Sequence, residues 1–174
     1  YGWPEAYRDT LPSPIVGLKV FGQSTVICTV TKTHLATGSD PMNQTIIDLA
    51  GSFPCVASRS IVATAIGVLY VSESGIVLVS DSGPLKLITE NLFTRDQWKA
   101  LRPQSMHGCV FSGRYYLWFG DQNFPAAPMG CLIFDFRNGG IQLTRSNIFA
   151  TAAYADASSR YIVRPEGNIQ LFVG

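Results

Sequence analysis

At 174 residues the chain is long enough for one domain with a proper core and too short for two large ones. Hydrophobic residues make up 47% and charged residues only 14%, so much of the surface must be uncharged Ser, Thr, Asn, Gln and Gly, a balance that suits a β protein within an assembly better than a free cytosolic enzyme. Thirteen basic against 12 acidic side chains, a net charge of +1, make no electrostatic case for nucleic acid or an anionic membrane as an overall partner, and no apolar run approaches the roughly 18 residues of a membrane span.

Residues 1–14 carry Pro4, Pro12 and Pro14, which argue against helix or central strand and for an extended lead-in with Trp3 and Tyr7 as anchors. From Ile15 the strands begin: IVGLKVF, a turn at Gly22-Gln23, STVICTVT, a less regular THLATGSDP and a short TIIDL. CVASRSIVATA reads as the next strand, ending in a turn at Ile66-Gly67. The stretch from Gly67 to Thr89 then reads as a meander of three short strands, with turn residues at 72–75 and 81–84 and Gly where hairpin turns favour positive φ. Such a meander cannot bury its apolar face alone, so the rest of the chain must supply neighbours.

RDQWKAL, at residues 95–101, predicts the single helical turn. Thr94 and Gln97 have capping-box spacing, Phe93 and Trp98 are placed as a hydrophobic staple, and Pro103 ends the helix. MHGCVFS, a turn at Gly113, RYYLWFG, a loop through Phe124 to Pro128, GCLIFDF, a turn at residues 138–140 and IQLTR follow. The last segment runs TAAYADA, a turn near Ser158-Ser159, RYIVRPE, a turn at Gly167-Asn168 and IQLFVG.

Laid over one another, these segments repeat. The first hairpin turns fall near Gly22, Gly67, Gly113 and Ser158, a period of about 45 residues that belongs to propeller blades of four strands. The expected fold is therefore all-β and β-propeller-like: an extended segment over 1–14 and a domain over 15–174, with about four antiparallel blades near 15–52, 53–103, 104–147 and 148–174 and one short helix. A β-sandwich with evenly spaced strands is the alternative. In the strand RYYLWF, alternation sends Tyr115 and Leu117 to one face and Tyr116 and Trp118 to the other, so it should lie between two sheets. The chain opens at Tyr1 without a Met and reads as a piece of a longer polypeptide.

Chemistry-bearing residues are sparse. His34 and His107 have no metal-binding spacing and are expected in structural or surface roles. There is no GxSxG, GxxxxGK[ST] or GxGxxG. Asp81, Asp121 and Asp135 offer a carboxylate pair for glycoside cleavage only in principle, since each sits at a turn or strand end. Cys28, Cys55, Cys109 and Cys131 lie in apolar runs without CxxC spacing and read as buried thiols formed under reducing conditions. No catalytic, cofactor or metal residue is expected. The loop from Phe124 to Met129 and the helix from Phe93 to Leu101 look like insertions projecting toward neighbours, making Phe93, Trp98, Phe124 and Met129 the candidate interaction residues.

A string of motifs then carries a resemblance over roughly residues 1–120: Trp3-Pro4-Glu5 with Tyr7, Ile15-Val16-Gly17-Leu18, Phe21-Gly22-Gln23-Ser24, Thr37-Gly38-Ser39-Asp40-Pro41, Cys55 with Ser58-Arg59-Ser60-Ile61-Val62, Gly67-Val68 with Tyr70 and Ser72, and Leu92 to Trp98. In this order they resemble virion structural proteins of tailed bacteriophages and prophages, similar to the propeller-bearing tail-nozzle or DNA-stabilisation proteins of short-tailed phages. The resemblance implies a non-enzymatic scaffold domain of the phage tail or neck, made in the host bacterial cytoplasm. Its partners would be other virion proteins or further copies of itself in a ring, with no small-molecule substrate. A carbohydrate-binding or glycan-cleaving propeller used in host attachment is the alternative function.

Overall fold

A computed structural model describes residues 10–38, 43–80, 84–121, 128–137 and 140–155, together with the backbone of two later strands, Arg160–Val163 and Ile169–Phe172. The fold is mostly β. Strands β1 (Ile15–Phe21), β2 (Ser24–Thr29), β3 (Thr33–Thr37) and β4 (Thr45–Asp48) form the first sheet; β5 (Val62–Thr64), β6 (Gly67–Ser72), β7 (Gly75–Val79) and β8 (Lys86–Leu87) form the second. The third holds β9 (His107–Phe111), β10 (Arg114–Phe119), β11 (Gly130–Asp135) and β12 (Gln142–Ser146). In the fourth, β13 (Ala152–Ala155) is followed by β14 (Arg160–Val163) and β15 (Ile169–Phe172). Every described pairing is antiparallel between strands adjacent in sequence, so each sheet is a meander.

The hairpins follow from local chemistry. Phe111 pairs with Arg114 across a turn whose corners, Ser112 at φ 49° and Gly113 at φ 71°, both take the left-handed conformation that matches strand twist. The second sheet uses a hydroxyl device twice. Thr64 Oγ1 donates to the Gly67 carbonyl and accepts from Ile66 N–H, and Ser72 Oγ does the same with Gly75 and Ser74. Gly75, at φ 148°, comes so close to Thr89 that a Cβ would overlap its hydroxyl.

Sequence and structure differ between Cys55 and Ala65. A continuous strand is expected there, but Cys55 makes only an isolated bridge to Ser72, a 3₁₀ turn follows at Ser58–Ser60, and β5 starts at Val62. Ser60 is responsible: its hydroxyl donates to the Ala57 carbonyl at 2.6 Å and accepts Val71 N–H at 2.9 Å, so a side chain takes the place of a strand partner. Thr89 Oγ1 acts likewise on Ile76 N–H.

The sheets stack face to face in chain order. On β6, Val68 and Tyr70 join Val26, Cys28 and Leu35 of the first sheet in one buried cluster, while Leu69 and Val71 join Tyr115, Leu117 and Phe119 of the third sheet in another. A strand buried on both faces explains why Gly67–Ser72 is buried throughout and why its sequence is an almost unbroken apolar run. β10 behaves the same way, since Trp118 and Tyr116 turn toward Ala150 and Ala153 beside the fourth sheet, as alternation predicts. Two opposed sheets cannot produce this arrangement, because the second sheet is covered on its two sides by different sheets. The first strands also meet in succession, β1 with β5, β5 with β9 and β9 with β13.

Polar stitches cross these interfaces. The Tyr70 hydroxyl lies 2.8 Å from Thr33 Oγ1 and donates to the Phe53 carbonyl, and the Tyr115 hydroxyl donates to the Ser60 carbonyl at 2.9 Å. The helix α1 (Arg95–Ala100) has the expected capping box, with Thr94 and Gln97 satisfying each other's backbone N–H groups. Phe93 and Trp98 form the staple, their ring centroids 5.6 Å apart.

Candidate functional site

The interaction residues chosen from sequence fare differently. Trp98 requires correction: it is 1% exposed, packs in the core between the second and third sheets, and donates its indole N–H to the Ser72 carbonyl at 3.0 Å. A six-residue helix is held by the face it buries, and here that face carries Trp98 inward instead of toward a partner. Phe93 is half-buried against it, and half-buried Met129 lies against Gly120. Phe124 lies outside the described residues.

The acidic residues do not converge. Asp135 is gripped by Arg114 Nε at 2.9 Å and Arg137 Nη2 at 2.6 Å; hydrogen bonds from Arg137 and then Arg114 hold its carboxyl well below the usual carboxylate range. Asp135 pairs with Arg114 at the start of β10, whereas Asp121 follows its end, a separation of roughly 20 Å along the strand. Glycosidase carboxylates need about 5–10 Å, so this pair cannot act together. Asp81 is outside the described residues. His34, buried in β3, hydrogen-bonds through Nδ1 to its cross-strand partner Asp48 at 2.8 Å. Cys28, Cys55 and Cys131 are buried thiols and Cys109 is a half-buried one, none of them in a disulfide; burial pushes the Cys131 thiol up to about 12.

A different group of residues forms a cleft of about 450 Å³. Its walls are the segments that lead into the first strands of three successive sheets: the 3₁₀ turn with Ser58 and Arg59 before β5, the 3₁₀ turn Pro103–Ser105 before β9, and residues 149–151 before β13. Asp121, just beyond β10, completes the rim because the end of β10 lies beside the start of β9. The cleft therefore sits at one end of the line along which the first strands meet.

His107, the first residue of β9, lines this cleft while being only 5% exposed. Its ring stacks on its cross-strand partner Trp118, centroids 5.6 Å apart and 14° from parallel. Burial, and then the nearby charge of Arg59, lower its pKa from 6.5 to about 4, so the imidazole is neutral at physiological pH. The carbonyls of Ser105 and Ala150 lie near enough to the ring to bias it the other way, but neither ring nitrogen makes a well-aligned hydrogen bond among the described residues, nor does the Trp118 indole N–H. So weakly basic an imidazole is poorly suited to accept a proton in catalysis. With Arg59, Gln104 and the hydroxyls around it, the site is equipped to hold a polar group by hydrogen bonds. Sequence reasoning missed this cleft because its walls come from four separate stretches of chain.

No protein-family model matches the chain, and no curated protein is significantly similar to it. Among solved structures, the computationally designed Ika4 protein superposes with a TM-score of 0.58 at 10% identity, over 94% of this chain and 93% of that one. That likeness concerns the fold alone. PorZ, an essential bacterial surface component of the type-IX secretion system of Porphyromonas gingivalis, aligns with a TM-score of 0.47 at 10% identity, over 92% of this chain and 27% of PorZ.

Proposed function

We propose that this chain is a propeller-type array of about four blades serving as a non-enzymatic structural segment of a tailed-phage virion. The observation that carries the architectural part is the stacking of consecutive meander sheets with their first strands in contact, as wedges set around an axis would have it. The motif string over residues 1–120 supports the virion assignment.

A scaffold role draws further support from what the array leaves open. β1 exposes Leu18 and Val20 at 57% and 60%, so the first sheet retains apolar surface of the kind that neighbouring subunits cover. In this reading the partners are other virion proteins or further copies of the chain, and the protein ends in the tail or neck of the particle.

Quantitative mass spectrometry of gradient-purified particles from cells that carry the gene tests the assignment. Peptides of this chain should co-purify with the particles at several copies each. Their absence from particles, or clear turnover in a reducing-sugar release assay, would overturn it.

A further inference from the structure

We infer that the cleft where the chain enters β5, β9 and β13 is a recognition site for a single carboxylate group, held by Arg59 at the rim and by the imidazole of His107 on the wall. The first ground is a deficit. A buried polar group without a partner costs about 1–3 kcal/mol, and folds retain one where a partner arrives from outside. His107 is such a group on the cleft wall, its ring nitrogens making no well-aligned hydrogen bond to the nearby Ser105 and Ala150 carbonyls. The Trp118 indole N–H, on the ring stacked against it, is a second unsatisfied donor but lies behind the cleft lining.

The second ground is the balance of donors. Arg59 brings five N–H donors and makes no ion pair among the described residues, the neutral imidazole brings one N–H, and the Gln104 amide two. An acceptor-rich ligand answers that set. The acid on the same rim, Asp121, is itself engaged in an interaction and limits how much negative charge the cleft accepts. One guanidinium, neutral donors and a nearby carboxylate suit a monoanion and disfavour a phosphate dianion. A volume of about 450 Å³ takes a side chain or a small acid, not a folded surface.

The carboxylate can come from an acidic residue of a partner polypeptide or from a free organic acid. The proposal concerns the cleft itself and holds whether or not the chain resides in a virion, so particle composition and cleft binding fail independently.

The test follows the imidazole ¹⁵N resonances of the uniformly labelled full chain, with His107 distinguished from His34 by the His107→Gln variant. Sodium acetate, the blocked peptide acetyl-Gly-Glu-Gly-amide, sodium phosphate and sodium chloride are titrated at matched ionic strength. At least one carboxylate probe should shift His107 saturably while leaving His34 in place, with affinity several-fold above phosphate and chloride. Arg59→Gln, a surface change that should leave the melting temperature intact, should weaken that binding about tenfold. A tighter response to the peptide points to a polypeptide source, and an equal response to both points to a free acid. No saturable shift at His107 with either carboxylate, an equal response to chloride or phosphate, or unchanged affinity in Arg59→Gln would overturn the inference.

Discussion

Replacing Tyr70 by Phe removes one oxygen from the interface between the first two sheets, and its cost can be worked out from the bonds that oxygen makes. The hydroxyl has one proton, which goes to the Phe53 carbonyl at 2.8 Å, so in the 2.8 Å contact with Thr33 it must be the threonine that donates. Tyr70→Phe thus leaves the buried Thr33 donor only the sulfur of its cross-strand partner Cys28, a weak acceptor, and strands an acceptor on Phe53. At about 1–3 kcal/mol for each buried unsatisfied group, and with half-buried Phe53 able to recover water, the loss should be about 2–3 kcal/mol. For a chain of this length that lowers the melting temperature by roughly 5–10 °C. Thr33→Val alone should cost about 1 kcal/mol, and the double variant should show a coupling of about 1 kcal/mol, because the second change removes a donor already left with a weak acceptor. Urea unfolding followed by circular dichroism reads all four corners of the cycle. A Tyr70→Phe protein within about 0.5 kcal/mol of wild type, or strict additivity with Thr33→Val, would refute this account of the interface.

Other consequences follow from the same packing. Trp98→Ala should destabilise by about 3–5 kcal/mol in urea titrations, since it empties a core site; unchanged stability with altered self-association would return Trp98 to the surface. Gly75→Ala should cost about 2–3 kcal/mol because its φ is 148° and the new methyl meets the Thr89 hydroxyl that serves Ile76 N–H, while Ser74→Ala, changing an exposed turn residue, should stay within about 0.5 kcal/mol in the same assay. The unfolded chain protonates His107 below about 6.5 and the folded chain only below about 4, so its contribution is intact above the upper value and is lost as pH falls between them. Wild type should therefore lose about 2–3 kcal/mol more than His107→Gln between pH 6.5 and 4; parallel stability profiles would contradict the burial of a neutral imidazole.

What could be read from sequence was set by local chemistry. Alternation in RYYLWF placed Tyr115 and Trp118 on opposite faces, and Thr94 with Gln97 fixed the start of the helix, because strand period and capping depend on residues close together in the chain. The burial of Trp98 was not readable in this way. A short helix next to Pro103 looks the same whether its aromatic points in or out, and the deciding contact is with Ser72, 26 residues away. The stretch from Cys55 to Ala65 misled for a related reason, since Ser60 bonds across the sheet to Val71 and converts an apparent strand into a 3₁₀ turn. The cleft was furthest from view: Arg59, Gln104, Asp121 and Phe149 meet only once the sheets have stacked. A histidine heading the apolar strand HGCVF was its one local trace.

Nuclear Overhauser contacts from the two faces of β6 test most directly whether consecutive sheets stack in chain order. The Tyr70 ring should report methyl groups of Val26 and Leu35 in the first sheet, while the methyls of Leu69 and Val71 should report the rings of Tyr115 and Phe134 in the third. Contacts from Tyr70 and Leu69 to one and the same sheet, or direct contacts between Val26 and Leu117, would contradict the arrangement on which the proposed scaffold rests.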